Sequence, residues 1–218
     1  MTRLVVLDVN ETLSDVSALR PVFAEVGLGE AAAAAWFAGV LRDGFALTAV
    51  GATAPFADLG RDGLRTMLAD RPDDADAAAD RVLEAFRTLP LHPDVAPGLA
   101  ALRDAGVRVA TLSNGSAAVA ESLLSRAGIA DLVEAFLTVE DVGVWKPAEA
   151  AYRHALTTCD VPAAEATMVA AHAWDVDGAH RAGLRTVYVD RAGAPYPASF
   201  ATPDATVRGL DELVARLT

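Results

Sequence analysis

From residue 91 onward the chain alternates two kinds of segment. Short apolar runs ("VRVATL", "AFLTV", "ATMVA", "RTVYV") are separated by amphipathic stretches ("PGLAALRDAG", "SAAVAESLLSRAG", "PAEAAYRHALTTC", "WDVDGAHRAG"). Runs of four to six residues rich in Val, Thr and Leu read as buried strands, and apolar residues at spacings of three and four read as helices. Strand and helix in strict alternation give a parallel sheet, because each crossover between parallel neighbours needs a dozen or more residues and packs a helix on a sheet face. "LVVL" at residues 4–7 is a further strand of the same kind. The expected fold class is therefore α/β, a doubly wound, Rossmann-like parallel sheet.

Residues 16–90 interrupt this pattern. They are rich in alanine, carry helical spacings in "AAAAAWFAGVLRDGFAL", "DGLRTMLAD" and "DAAADRVLEAFRTL", and contain no convincing strand. An all-helical insert is expected there, dividing the sheet-bearing part into 1–15 and 91–218, with the prolines of "LPLHPDV" marking the return.

Composition narrows the function. At 218 residues and 53% hydrophobic, the chain is long enough to bury a sizeable core. No apolar run approaches the roughly 18 residues of a membrane span, and the N-terminus lacks a basic start and apolar core, so a cytoplasmic protein is expected. The single cysteine, Cys159, excludes an intramolecular disulfide and a Cys-rich metal site, and its helical setting reads as packing. A net charge of −12 opposes nucleic acid and anionic membrane as partners. A small anionic molecule remains possible, held by a few backbone N–H groups and a lysine. Self-association as a homodimer stays open.

In an open parallel sheet, ligands bind in the crevice beyond the strands' carboxyl ends. The residues arriving there are Asp8, Asn10 and Thr12 after the first strand, Ser113, Asn114 and Gly115 after "VRVATL", Lys146 after "AFLTV", and His172, Trp174 and Asp175 after "ATMVA". An aspartate that ends a buried strand near a lysine can stay ionised and act as a nucleophile. Each residue also has a plainer use. Ser113 and Asn114 suit a turn before a helix, Asp175 and Asp177 suit its first turn, and His92, His154, His180 and even His172 could be structural.

"DVNETL", "LSNGS", "VWKP" and "AWDVDGA", in this order with a helical insert after the first, resemble the motifs of the haloacid dehalogenase superfamily, most closely its L-2-haloacid dehalogenases, over essentially the whole chain. The resemblance implies Asp8 as nucleophile, with Thr12, Lys146 and Asp175 as catalytic partners. It also implies substrate contacts from Ser113, Asn114 and Tyr152, and a cap formed by residues 16–90; Asn10, His172 and Trp174, by their places at the strand ends, and Phe37, on the cap's apolar stripe, are expected to contact the substrate beside them. The implied reaction is hydrolytic dehalogenation of small 2-haloalkanoic acids to 2-hydroxy acids through an aspartyl ester, with no metal or other cofactor.

Four positions depart from that pattern. Phe37 follows the cap tryptophan Trp36 where the dehalogenases commonly carry an arginine for the leaving halide. Asn10 stands where they commonly show tyrosine, and Ala171 with His172 replaces a Ser-Asn pair. Asn10 also replaces the second aspartate of the superfamily's phosphatases, and an amide cannot shuttle a proton. With the arginine gone, Asn114, Trp174 and His172 are the expected donors to a halide. Two alternatives stand beside this expectation: a Mg2+-dependent phosphatase built on Asp8, Asp175 and Asp177, and a non-catalytic protein that binds a small acid.

Overall fold

The computed structural model describes residues 2–217. Its centre is a six-stranded sheet in the order β3-β2-β1-β4-β5-β6. The strands are β1 (Leu4–Leu7), β2 (Arg108–Ser113), β3 (Ala135–Thr138), β4 (Ala166–Ala170), β5 (Arg185–Val189) and β6 (Ala205–Val207). All neighbours pair in parallel. The last strand was not expected. Its three residues, "ATV", are too short to show a period, and it exists because β5 offers it an edge.

β1 is central and wholly buried, which explains its unbroken apolar run. Alternate residues feed opposite faces. Leu4 and Val6 pack with α7 (Glu149–Thr158) and α8 (Ala173–Arg181), and Val5 and Leu7 pack with α5 (Val95–Asp104) and α6 (Ala117–Arg126). Helices thus cover both faces of the sheet. The strand order reverses between β1 and β4, and that switch point lies where Asp8 and His172 leave the sheet.

Between β1 and α5 the chain forms four further helices: α1 (Arg20–Glu25), α2 (Ala32–Ala49), α3 (Phe56–Met67) and α4 (Pro72–Arg87). The two connections to them run side by side, since Asp15 N donates to Pro90 O at 2.8 Å and His92 N to Leu13 O at 2.9 Å. Trp36 and Phe37 on α2 are buried against Phe56 and Phe86, and Trp36 Nε1 donates to Gly60 O at 2.8 Å. Trp145, from the loop after β3, fastens these helices over the sheet. Its N–H donates to Thr48 Oγ1 at 3.0 Å and its indole to Ala54 O at 3.2 Å, while Gly44 gives its ring room against α2. Among the described residues no helix is long and apolar enough to cross a membrane. Cys159 is buried, and burial beside Glu134 pushes its thiol up to about 11.

Candidate active site

Asp8 follows β1 directly, and its backbone N–H still continues the sheet, donating to Val169 O at 3.0 Å. The strand therefore fixes where the carboxylate stands. Lys146 Nζ donates to Asp8 Oδ1 at 2.8 Å and to Asp175 Oδ2 at 2.6 Å, and both Lys146 and Asp175 are 0% exposed. On the other oxygen, Thr12 Oγ1 donates to Asp8 Oδ2 at 2.7 Å and accepts from Ala171 N at 2.9 Å. His172 Nδ1 lies 3.3 Å from the same Oδ2, and its Nε2 lies 2.7 Å from Glu11 Oε2. Three strand-end loops, those after β1, β3 and β4, thus meet at one carboxylate.

The electrostatics follow from these contacts. Burial alone would push Asp8 toward neutrality, but Lys146 and His172 outweigh it and hold the carboxyl well below the usual range. Burial likewise opposes a charge on Lys146, whereas Asp175 and Asp8 keep it an ammonium and raise its pKa. Asp175 is raised, first by burial, with Asp8 adding to it and Lys146 opposing. For His172, burial works against the imidazolium, yet bonds to Asp8 and Glu11 prevail and lift it to about 9. Both ring nitrogens are therefore donors at neutral pH. Asp8, Asp175, Lys146 and His172 together carry two negative and two positive charges, a balanced set, which is how a sheet edge tolerates them under a lid.

Asn114 was expected to face the substrate; its amide is bonded to the backbone of Lys146. Its Oδ1 accepts from Lys146 N at 2.8 Å and its Nδ2 donates to Lys146 O at 3.2 Å. These two bonds shape the lysine's loop and leave one N–H of the amide without a partner among the described residues. Tyr152 was likewise expected to meet the substrate. It lies behind Asp175, donating to Asp175 Oδ1 at 2.7 Å from a position 0% exposed. Gly178 permits this approach, since a Cβ there would stand 2.6 Å from the tyrosine oxygen. Asp177 turns away, accepting from Arg181 at 2.7 Å and from Ala201 N at 2.9 Å. Phe37 and Trp174 both stack on His172, with ring centroids 6.3 and 5.0 Å away. Asn10, Ser113 and Gly115 line a cavity of about 70 Å³ together with Phe56, Leu83 and Phe86; Asp8 is not among its lining residues.

Glu11 was missed from the sequence. It sits at φ 62°, a left-handed conformation that disfavours a side chain by roughly 1–2 kcal/mol. Its one sequence signal is a charge in the turn directly after the strand-end aspartate. Arg191 was missed too; it donates to Thr12 O and to Asp94 Oδ1, both at 2.6 Å, and holds the turn from behind.

A magnesium ion would need oxygen ligands converging between Asp8 and Asp175. That position is filled by the Lys146 ammonium, Asn10 supplies no charge, and Asp177 is engaged elsewhere. The residues do not fit the ion. Among the described residues no group of three or more His, Cys, Asp and Glu side chains is gathered for a metal.

A model of the haloacid dehalogenase-like hydrolases matches residues 2–183. The (S)-2-haloacid dehalogenase H-109 of Pseudomonas putida is 30% identical over 96% of this chain and 95% of its own length. The (S)-2-haloacid dehalogenase 4A of Burkholderia cepacia is 32% identical over 65% of this chain, and the match spans 61% of that relative's length. The L-2-haloacid dehalogenase of Xanthobacter autotrophicus, solved with chloropropionic acid covalently bound, superposes with a TM-score of 0.85 at 25% identity, over 98% of this chain and 97% of that one.

Proposed function

Because the chain belongs to the haloacid dehalogenase-like hydrolase family, we propose that it hydrolyses small 2-haloalkanoic acids to 2-hydroxy acids through an ester on Asp8, without a metal. The observation that carries this is the buried Asp8–Lys146–Asp175 set, in which an ammonium occupies the place of a cation and keeps the nucleophile ionised. The carboxylate of Asp8 attacks the carbon bearing the halogen, the carbon–halogen bond breaks with its electron pair leaving on the halide, and an ester remains. Water then adds to the ester's carbonyl carbon, and the 2-hydroxy acid leaves with an oxygen that came from Asp8.

The cavity beside Asn10 and Ser113 is not lined by Asp8, and we read it as room for the part of the substrate beyond the reacting carbon. One water needs roughly 10–15 Å³ on the same measure, so about 70 Å³ suits the remainder of a small acid. Its carboxylate is placed toward Ser113 and the N-terminal end of α6, where the helix dipole favours an anion. The helices of 16–90 act as the cap that keeps water off the first step. A cytoplasmic setting belongs to the same proposal.

The test is a comparison of halide release from 2-chloropropionate with phosphate release from small phosphate esters, each with and without chelator. Chelator-resistant halide release is expected. Phosphate release that is lost on chelation and restored by magnesium would replace the dehalogenase with a phosphatase.

A further inference from the structure

Ester hydrolysis needs a group that accepts a proton from water beside Asp8, and two obvious neighbours are unsuited. Lys146 is held as an ammonium by two carboxylates. Asp175 is 0% exposed, and both its oxygens already accept, one from Lys146 and one from Tyr152. His172 is different. Its side chain keeps 14% exposure, and its Nδ1 faces the carboxyl group of Asp8.

The ring is held most closely by groups other than Asp8. Glu11 holds Nε2 at 2.7 Å, and the rings of Phe37 and Trp174 stack against the imidazole, whereas the Nδ1 contact to Asp8 is longer, at 3.3 Å. An in-line displacement places the leaving halide on the far side of the attacked carbon from the attacking oxygen. A nitrogen 3.3 Å from an oxygen of the nucleophile is on the near side. The imidazole is thus poorly placed to meet a halide and well placed to meet water arriving at the carbon of Asp8. A histidine backed by a carboxylate is a general arrangement for accepting such a proton.

We infer that His172, oriented by Glu11, is the general base for hydrolysis of the Asp8 ester in this chain, an inference that rests on the ester route proposed above. Nδ1 takes a proton from water as its oxygen bonds to the ester carbon. The tetrahedral intermediate then breaks its bond to the alkoxy oxygen, and the imidazolium returns the proton to the departing 2-hydroxy acid. Asp8 is left as a carboxylate carrying the water's oxygen, and one proton passes to solvent.

The first step prepares the second. The charged groups facing His172 are Asp8 and Glu11, with Lys146 behind Asp8 and Asp175 behind Lys146; Phe37 and Trp174 present uncharged rings. While Asp8 is free, two carboxylates keep the imidazole protonated, up to about pH 9. Alkylation removes the charge of Asp8, so the ring loses one of these partners and its pKa falls, releasing the base when it is needed.

The experiment follows single turnovers of 2-chloropropionate by halide release and by intact-protein mass, in the wild type, His172→Gln and Glu11→Gly. His172→Gln should release about one halide per site at near the wild-type rate. It should then hold the ester on Asp8, with hydrolysis slowed at least about 100-fold and no longer rising with pH. Glu11→Gly, which relaxes the left-handed turn, should fold and keep the burst, while its hydrolysis slows and its rising limb moves to lower pH. If His172→Gln slows halide release as much as hydrolysis, or accumulates no ester, His172 is not the base. A Glu11→Gly profile that coincides with the wild type would contradict the role of Glu11, and it decides the matter should His172→Gln fail to fold. Absence of halide from the wild type would instead overturn the dehalogenase assignment itself.

Discussion

On the sheet side of the site, Asp8, Lys146 and Asp175 are each held by two or more charged or hydroxyl partners at 2.6–3.3 Å. On the cap side, Phe37, Phe56 and Phe86 meet one another only as rings, with centroids 4.8–6.4 Å apart. The two walls obey different physics. A buried charge network is directional, so removing one member strands the others, whereas ring contacts are broad and accept replacements of similar volume. Chemistry is accordingly tied to the sheet, and the choice of substrate can drift with the cap without disturbing the nucleophile.

The sharpest way to break that contrast is Lys146→Met. It leaves Asp8 and Asp175 buried without their shared cation, so the protein should lose about 3–5 kcal/mol of stability and essentially all turnover. Urea titration and a halide assay check both. A loss of under about 1 kcal/mol would mean that the two carboxylates are less dependent on the lysine than their geometry implies.

An intermediate effect is expected from Tyr152→Phe. Asp175 loses one of its buried donors, at about 1–3 kcal/mol, and the acid then holds Lys146 less firmly. Turnover should drop while KM stays within about twofold, because the hydroxyl is bonded to Asp175 and not to the substrate. A rise in KM with kcat unchanged would return Tyr152 to the pocket.

The smallest effect belongs to the cap. Phe37→Leu keeps an apolar side chain over His172 and should cost about 1 kcal/mol. It should alter the relative KM values of acids differing in side-chain length more than it alters kcat. A fall in kcat as large as that of Tyr152→Phe would show the cap wall taking part in the chemistry.

How much of this was readable in the sequence follows the same division. The parallel sheet was legible because strand and helix periods differ, and the strand-end rule then led directly to Asp8, Thr12, Lys146 and Asp175, which the structure brings together. β6 was not legible, since three residues carry no period. Tyr152 stands six residues after Lys146, but which partner it reaches depends on how closely α7 approaches α8, a matter of the missing side chain at Gly178. Asn114 has donors and an acceptor that serve a loop or a ligand equally well, and only tertiary packing shows that Lys146's backbone takes the acceptor and one donor. Glu11 escaped notice because a turn glutamate is ordinarily solvated. Its partner lies 161 positions away in the chain.

The central claim is that Asp8 forms a covalent ester. It is tested most directly by one turnover of 2-chloropropionate, with enzyme in excess, in heavy-oxygen water, followed by mass analysis of the Asp8 peptide and of the product. The account predicts heavy oxygen in the Asp8 carboxylate and ordinary oxygen in the 2-hydroxy acid. Heavy oxygen in the acid, with Asp8 unlabelled, would mean that water attacks the substrate carbon directly and would contradict it.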